Sequence, residues 1–168
     1  NANFAGTDSF TVTYTDAQGF TSTQVISLTV TAVDDGPATF GGNTSGTGLE
    51  DGGAITGTLT ASDPDGAGVN PFAVTGAAAN GTASIDAATG AWSYTPTANF
   101  AGTDSFTVTY TDAQGFTSTQ VISLTVTAVD DGAATFGGNL SGTGVEDGGA
   151  LTGTLTASDP DGAGVNPY

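Results

Sequence analysis

No lysine, arginine or histidine occurs in this chain of 168 residues, although it carries 17 Asp and Glu and a net charge of −17. Such a chain cannot neutralise itself with its own side chains. It is also a poor match for nucleic acid or an anionic membrane surface, both of which are bound through Lys and Arg. Cysteine is absent too, so neither a disulfide nor a thiolate metal site is available. No apolar run approaches 18 residues and no basic leader precedes one. The reading therefore predicts no transmembrane span and no signal peptide within these residues. Lacking His, Cys and Lys, the chain could only run chemistry on a carboxylate pair, as glycosidases do, or with a metal. No acid pair sits in a segment that would form a cleft, so an enzyme is not expected.

What the chain does have is itself twice. Residues 1–72 return as 97–168, a shift of 96, with six differences: Asn1/Thr97, Pro37/Ala133, Thr44/Leu140, Leu49/Val145, Ile55/Leu151 and Phe72/Tyr168. A unit of that length exceeds a solenoid repeat and is long enough to own a core. With the seam near Asp35-Gly36, residues 37–132 are expected to form one complete domain. Residues 1–36 then belong to the end of a preceding copy and 133–168 to the start of a following one.

The dominant period is two. Phe106, Val108 and Tyr110 alternate with Thr107, Thr109 and Thr111; Ile122, Leu124, Val126 and Ala128 alternate with Ser and Thr. This is the pattern of strands with one buried and one hydroxylated face. Ile55–Ser62, Val69–Thr75, Thr82–Ile85 and Ala91–Thr95 complete the set, with Ala38–Thr44 as an edge strand. Turn signals such as Asp-Gly and Asn-Gly separate them. About seven strands per repeat and no helical period predict an all-β fold, an antiparallel immunoglobulin-like sandwich. Trp92, the single tryptophan, reads as a core plug beside Tyr94 rather than as a sugar-stacking platform.

The acids are not scattered over the strand faces, as generalised surface acidity would require. Sixteen of the 17 lie in recurring Gly- and Pro-containing stretches, and only Asp86 does not. Each alone reads as an ordinary turn residue, but together they gather. In a seven-stranded sandwich, the loops holding Asp63, Asp65 and Asp112 project at one end. Those holding Glu50, Asp51 and Asp104 project at the other, with linkers Asp34-Asp35 and Asp130-Asp131 between modules. One cluster is expected to comprise Asp8, Asp34, Asp35, Asp63, Asp65, Asn70 and Asp112. The other comprises Glu50, Asp51, Asp104, Asp130, Asp131, Asp159, Asp161 and Asn166. Crowded carboxylates without a cation call for a hard, oxygen-seeking metal, and Ca²⁺ with six to eight oxygen ligands suits them. The Asp-x-Asp-Gly spacing at 63–66 lets two carboxylates reach one ion while glycine turns the chain. It is not an EF-hand, because no glutamate follows at the twelfth loop position.

Three stretches resemble cadherin-like repeats of large bacterial surface adhesins, the group of RTX adhesin extender, tandem-95 and VCBS-type repeats. They are Asn99-Phe-Ala-Gly-Thr-Asp-Ser-Phe-Thr-Val-Thr-Tyr-Thr-Asp-Ala-Gln-Gly with its continuation Val126-Thr-Ala-Val-Asp-Asp-Gly; Leu59-Thr-Ala-Ser-Asp-Pro-Asp-Gly followed by Asn70; and Leu49-Glu-Asp-Gly-Gly. The resemblance implies Ca²⁺-loaded sandwiches strung end to end, each partnered by adjacent copies of the same repeat. It also implies an extracellular place at a bacterial surface, where such repeats hold an adhesive region away from the cell. The linker departs from the animal cadherin motif Asp-x-Asn-Asp-Asn in being only Asp-Asp-Gly. A ligand- or carbohydrate-binding module is the alternative reading; near-identical copies without an exposed aromatic patch speak against it.

Overall fold

The structure, a computed structural model, describes residues 3–162; Asn166 lies outside them. Its strands run in chain order as β1 (Gly6–Thr15), β2 (Thr21–Val30), β3 (Thr39–Gly42), β4 (Ser45–Leu49), β5 (Ile55–Ser62), β6 (Ala67–Gly76), β7 (Gly81–Ile85), β8 (Ala91–Pro96), β9 (Gly102–Asp112), β10 (Thr117–Thr127), β11 (Thr135–Gly138) and β12 (Leu155–Ser158). No helix occurs among the described residues. Strands β3 to β10 form two four-stranded sheets, in the orders β4-β10-β9-β6 and β3-β5-β8-β7. The fold is a β-sandwich of two facing four-stranded sheets.

Period-two alternation became burial wherever two sheets face each other. Phe106, Val108 and Tyr110 of β9 and Ile122, Leu124 and Val126 of β10 are buried, meeting Ile55, Leu59, Trp92 and Tyr94 from the opposite sheet. Trp92 stacks edge-on to Phe106 with ring centroids 5.8 Å apart, and Tyr110 receives Phe72 at 5.4 Å in the same manner. Such pairs add about 0.5–1.5 kcal/mol beyond burial itself. The Trp92 indole N–H donates to the Asn43 carbonyl at 2.9 Å, so its polar edge is satisfied inside. It is a core residue.

The edge strand expected at Ala38–Thr44 is shorter, and a second strand follows it. β4 lies in the glycine-rich stretch and pairs parallel with β10, from Ser45↔Ser123 to Leu49↔Thr127, in a sandwich otherwise paired antiparallel. Its glycines are spatial requirements: a Cβ on Gly46 would stand 2.7 Å from Ile55 Cγ2 and 2.9 Å from Trp92 Cη2. The strand therefore runs over the tryptophan, and no side-chain alternation remains to announce it.

Strands outside this sandwich repeat its parts. β1 and β2 pair in the register of β9 and β10 (Gly6↔Val30, Gly102↔Val126). β11 and β12 pair in the register of β3 and β5 (Thr135↔Ser158, Thr39↔Ser62). Local geometry is the same, yet Phe10 is 51% exposed where Phe106 is 1%. The hairpin is written locally; its burial depends on an opposing sheet.

Candidate metal centre

The turn after β5 is Asp63-Pro-Asp-Gly. Gly66 N–H closes it on the Asp63 carbonyl at 3.1 Å, and the Asp63 carboxylate accepts the Asp65 N–H at 2.9 Å. The hairpin turn between β9 and β10 is Asp112-Ala-Gln-Gly, where Asp112 Oδ1 accepts the N–H groups of Gln114 (2.7 Å) and Phe116 (2.9 Å). Both are Asx-type turns, the reason aspartate suits each locally. The two turns touch: Ala113 N–H donates to the Gly66 carbonyl at 3.1 Å. Gly68 permits the approach, because a Cβ there would lie 2.6 Å from the Asp112 carbonyl oxygen.

Into this pair of turns comes the linker that follows β2. Asp35 N–H donates to Asp65 Oδ2 at 2.8 Å, while Asp34 caps its own turn at Gly36 N–H. One carboxylate oxygen from each of Asp34, Asp65 and Asp112 then lies within 4.8 Å of the others. Asp65 and Asp112 are 5% and 4% exposed. At that separation and an effective dielectric near 20, each pair repels by roughly 3.5 kcal/mol. Tyr110, next to this group, is held above its usual range by burial first and then by the charges of Asp63 and Asp112.

The donor set fits a hard divalent cation. Oxygens 2.3–2.6 Å from one Ca²⁺ stand at most about 5 Å apart, which matches the spacing of the three carboxylates. One further observation favours it: the side-chain oxygen of Gln114 is buried with no hydrogen-bond partner, although its Nε2 donates to Asp65 Oδ1 at 2.7 Å. A buried acceptor left unpaired is unusual.

A second acidic group forms around the linker after β10. Glu50, 5% exposed, accepts the Val129 N–H at 2.7 Å. Asp131 N–H reaches both Asp161 oxygens, at 3.4 and 3.2 Å, and Asp130 caps Gly132 N–H. Asp159 accepts the Asp161 N–H at 3.0 Å, as Asp63 does for Asp65. The Asp131 carboxyl is held above the ordinary carboxylate range, by burial first and then by the charges of Asp51, Asp161 and Glu50. An open cleft here is lined by Glu50, Asn99, Ala128, Val129, Asp130 and Asp161.

Of the residues expected at the first cluster, the structure brings together the carboxylates of Asp34, Asp65 and Asp112, with Asp35 joined through its N–H and Asp63 through its turn. Asn70 is exposed with φ of 52° in the irregular part of β6, and no hydrogen bond joins it to the acids among the described residues. Asp8 lies on β1 and accepts the Ser9 N–H, beside Ser27 and Leu28. At the second cluster the structure places Asp131 near Asp51, Asp161 and Glu50, while Asp130 and Asp159 cap the turns beside them. Asp104 has a different position. Its carboxylate accepts the N–H groups of Ala79, Asn80 and Ser105 and the hydroxyl of Tyr94, and it is spent inside the domain. Burial opposes its ionisation, but those four donors outweigh burial and lower its pKa. Asp8 is the same residue one repeat earlier.

Two participants escaped the sequence reading. Gln114 and Asn99 stand in the stretch that carries the resemblance, but neither is among the candidate ligands read from the sequence. Asn99 Nδ2 donates to the Pro160 carbonyl, and Asn3 Nδ2 to the Pro64 carbonyl. The 96-residue shift relates these pairs, which was the available signal.

A family model described as the bacterial cadherin-like domain matches residues 34–128. Among solved structures, extracellular cadherin domains 1–4 of protocadherin gamma B7 match with a TM-score of 0.56 and 20% identity, over 97% of this chain and 43% of that one. The human desmocollin-1 ectodomain matches at 0.41 and 17%, over 90% and 32%. Domains 1–5 of protocadherin gamma B2 match at 0.40 and 15%, over 94% and 32%. The chain spans less than half the length of these structures. No curated protein matches it.

Proposed function

The chain belongs to the bacterial cadherin-like domain family, and from that premise we propose that it is part of a Ca²⁺-stiffened extender of a bacterial surface adhesin of the RTX type. In this reading residues 37–132 are one complete repeat, 1–36 the end of a preceding copy and 133–168 the start of a following one. Its partners are those adjacent copies, and its task is to project an adhesive region for surface attachment or biofilm formation. Cadherin-like domains are typically extracellular adhesion-type modules, and the family is non-enzymatic. No helix among the described residues is long and apolar enough to cross a membrane.

The observation that carries the proposal is the close approach of Asp34, Asp65 and Asp112 in a chain with no Lys, Arg or His. These residues, with Asp35 and Asp63, would hold Ca²⁺ at the first seam. Glu50, Asp51, Asp130, Asp131, Asp159 and Asp161 would do so at the second. Bound Ca²⁺ supplies positive charge that neutralises carboxylates drawn from two domains and their linker.

The residues themselves do the positioning. Asp63 and Asp112 shape their turns, and Asp65 receives the linker through the Asp35 N–H. Without neutralisation, mutual repulsion loosens that docking and the linker hinges. Extracellular Ca²⁺ modules bind in the range of about 0.1–1 mM, so the sites would fill outside a cell and stay empty in the cytosol. Ligand binding to the folded state alone also stabilises it by about 1.4 kcal/mol per tenfold excess over Kd. This compensates in part for absent disulfides. Differential scanning calorimetry in Ca²⁺ and in EDTA, with small-angle scattering of the same samples, tests the proposal. A large fall in melting temperature and a more flexible particle in EDTA are expected; identical curves would refute it.

A further inference from the structure

Among the described residues, Gln114 is the one that hydrogen-bonds to both buried acids of the first cluster. Its backbone N–H donates to Asp112 Oδ1 at 2.7 Å, and its side-chain Nε2 donates to Asp65 Oδ1 at 2.7 Å. The second bond fixes the amide orientation, because only the NH₂ end can face a carboxylate. The other end, Oε1, is thereby turned inward, where it is buried and unpartnered. The two ends of an amide are about 2.3 Å apart, so Oε1 stands within about 5 Å of Asp65 Oδ1. The side chain also lines the cleft against the preceding hairpin and linker, with Asn3, Phe4, Val33 and Asp35.

The corresponding residue one repeat earlier is a useful contrast. Gln18 occupies the same Asp-Ala-Gln-Gly turn, and its backbone N–H likewise donates to Asp16 Oδ1. Its side chain is exposed, for the hairpin of residues 6–30 has no Asp-Pro-Asp-Gly turn beside it. The inward Gln114 is therefore a property of the assembled pair of turns, not of the hairpin sequence.

We propose that Gln114 is a neutral oxygen ligand of the cation held by Asp34, Asp65 and Asp112, supplied through Oε1 while Nε2 steadies Asp65. The inference rests on the Ca²⁺ reading above. Ca²⁺ needs six to eight oxygens, and an amide adds one without adding a fourth negative charge to three that already repel.

The test is a calorimetric titration of the 168-residue chain with CaCl₂, paired with thermal melts in EDTA, for wild type, Gln114→Met and Gln114→Glu. Methionine keeps the length and removes both polar atoms. It should weaken Ca²⁺ binding roughly ten- to hundredfold, the range seen when a metal site loses a supporting group, and lower the EDTA melt only modestly, through loss of the Nε2 bond to Asp65. Glutamate should tighten Ca²⁺ binding and lower the EDTA melt, because it adds charge to an empty cluster. Wild-type affinity in both variants would overturn the role of Gln114 and leave the metal reading standing. A melt lowered equally in EDTA and Ca²⁺, with affinity unchanged, would also overturn it by reducing Gln114 to a turn residue. Wild-type protein that takes up no Ca²⁺ would sink both. Should the methionine variant fail to fold, the glutamate variant decides alone.

Discussion

Asn99 hydrogen-bonds through its side-chain amide to the main-chain carbonyl of Pro160, across the linker Asp130-Asp131, and Asn3 makes the same bond to Pro64 across Asp34-Asp35. Both asparagines sit at positive φ, 56° and 59°, a region that Asn enters more readily than other residues with a Cβ. The linker adds a second repeated contact, Asp35 N–H to Asp65 and Asp131 N–H to Asp161. Both contacts therefore recur at the two linkers, 96 residues apart. Superposed by the 96-residue shift, the two seams combine Glu50, Asp51 and Asn99 from one side, the linker aspartates, and the Asp-Pro-Asp-Gly turn and Asp112 loop from the other.

The asparagine bond is neutral, so neither chelator nor acid should abolish it. Asn99→Gly tests that. Glycine accepts positive φ without strain, so the domain should melt close to wild type while the joint loses one tether. In EDTA, small-angle scattering should report a more extended and variable particle than wild type in the same buffer. In Ca²⁺ the difference should shrink, because ions would hold the seam. Equal scattering in EDTA would mean the contact carries no weight.

Asp112→Asn should change sign with the solvent. Asparagine can still accept the Gln114 and Phe116 N–H groups, so the turn survives, but one of three mutually repelling charges is gone. In EDTA the variant should be more stable than wild type, by about 1–3 kcal/mol given the roughly 3.5 kcal/mol of each pair repulsion. In Ca²⁺ it should be less stable, having lost a ligand. Paired chemical denaturation curves in the two buffers measure both. A variant destabilised equally in each would rule out a metal there.

The pH dependence follows from two opposite shifts. Asp131 has a raised pKa, caused first by burial and then by Asp51, Asp161 and Glu50. The folded state therefore binds this proton more readily than the unfolded chain, and its contribution grows as pH falls through the raised value. Asp104, despite burial, and Asp86, through the Thr89 N–H, the Thr89 hydroxyl and the Ala88 N–H, are shifted down. Their contributions are complete above the unfolded carboxylate pKa of about 4 and vanish as pH drops through the lower folded values. In EDTA the melting temperature should rise modestly as pH falls from neutral through the raised Asp131 value, then fall below about pH 4. In Ca²⁺ it should only fall, since protons compete for the same oxygens. Thermal melts across that span in both buffers check the crossover.

How far could the chain be read without coordinates? Strands β5 to β10 were legible within a few residues, because alternation at Phe106-Val108-Tyr110 or Ile122-Leu124-Val126 is a direct consequence of one dry face. β4 was not, because Gly46 and Gly48 are there to admit Ile55 and Trp92, and a missing side chain leaves no pattern. Asp34, Asp65 and Asp112 could be grouped from topology alone, since each lies in a loop at one end. Asp104 could not be separated in the same way from Glu50 and Asp51, with which the loops grouped it: its partner Tyr94 is ten residues away, and its backbone donors come from Ala79 and Asn80. A carboxylate's loop says where it begins, while the donors it meets depend on the neighbouring strand.

The engagement of Asp104 with its neighbours inside the domain can be checked through Tyr94. The Tyr94 hydroxyl donates to Asp104 Oδ2 at 2.8 Å with the Asn80 carbonyl at 3.0 Å, inside a fully buried side chain. Tyr94→Phe keeps the ring and removes the donor, so it should cost about 1.5–3 kcal/mol, the range for hydrogen bonds to charged groups. The loss should be the same in EDTA and in Ca²⁺, and Ca²⁺ affinity should not move. The alkaline limb supplies an independent sign. Burial, with Asp104 beside it, pushes the Tyr94 pKa up to about 12. A phenol harder to ionise when folded contributes stability below the unfolded pKa of about 10, and that stability drains away as pH rises towards the folded value. The phenylalanine variant should therefore lose less stability than wild type between about pH 10 and 12, a difference readable in denaturant midpoints. If Tyr94→Phe instead weakens Ca²⁺ binding, Asp104 belongs with the metal ligands after all.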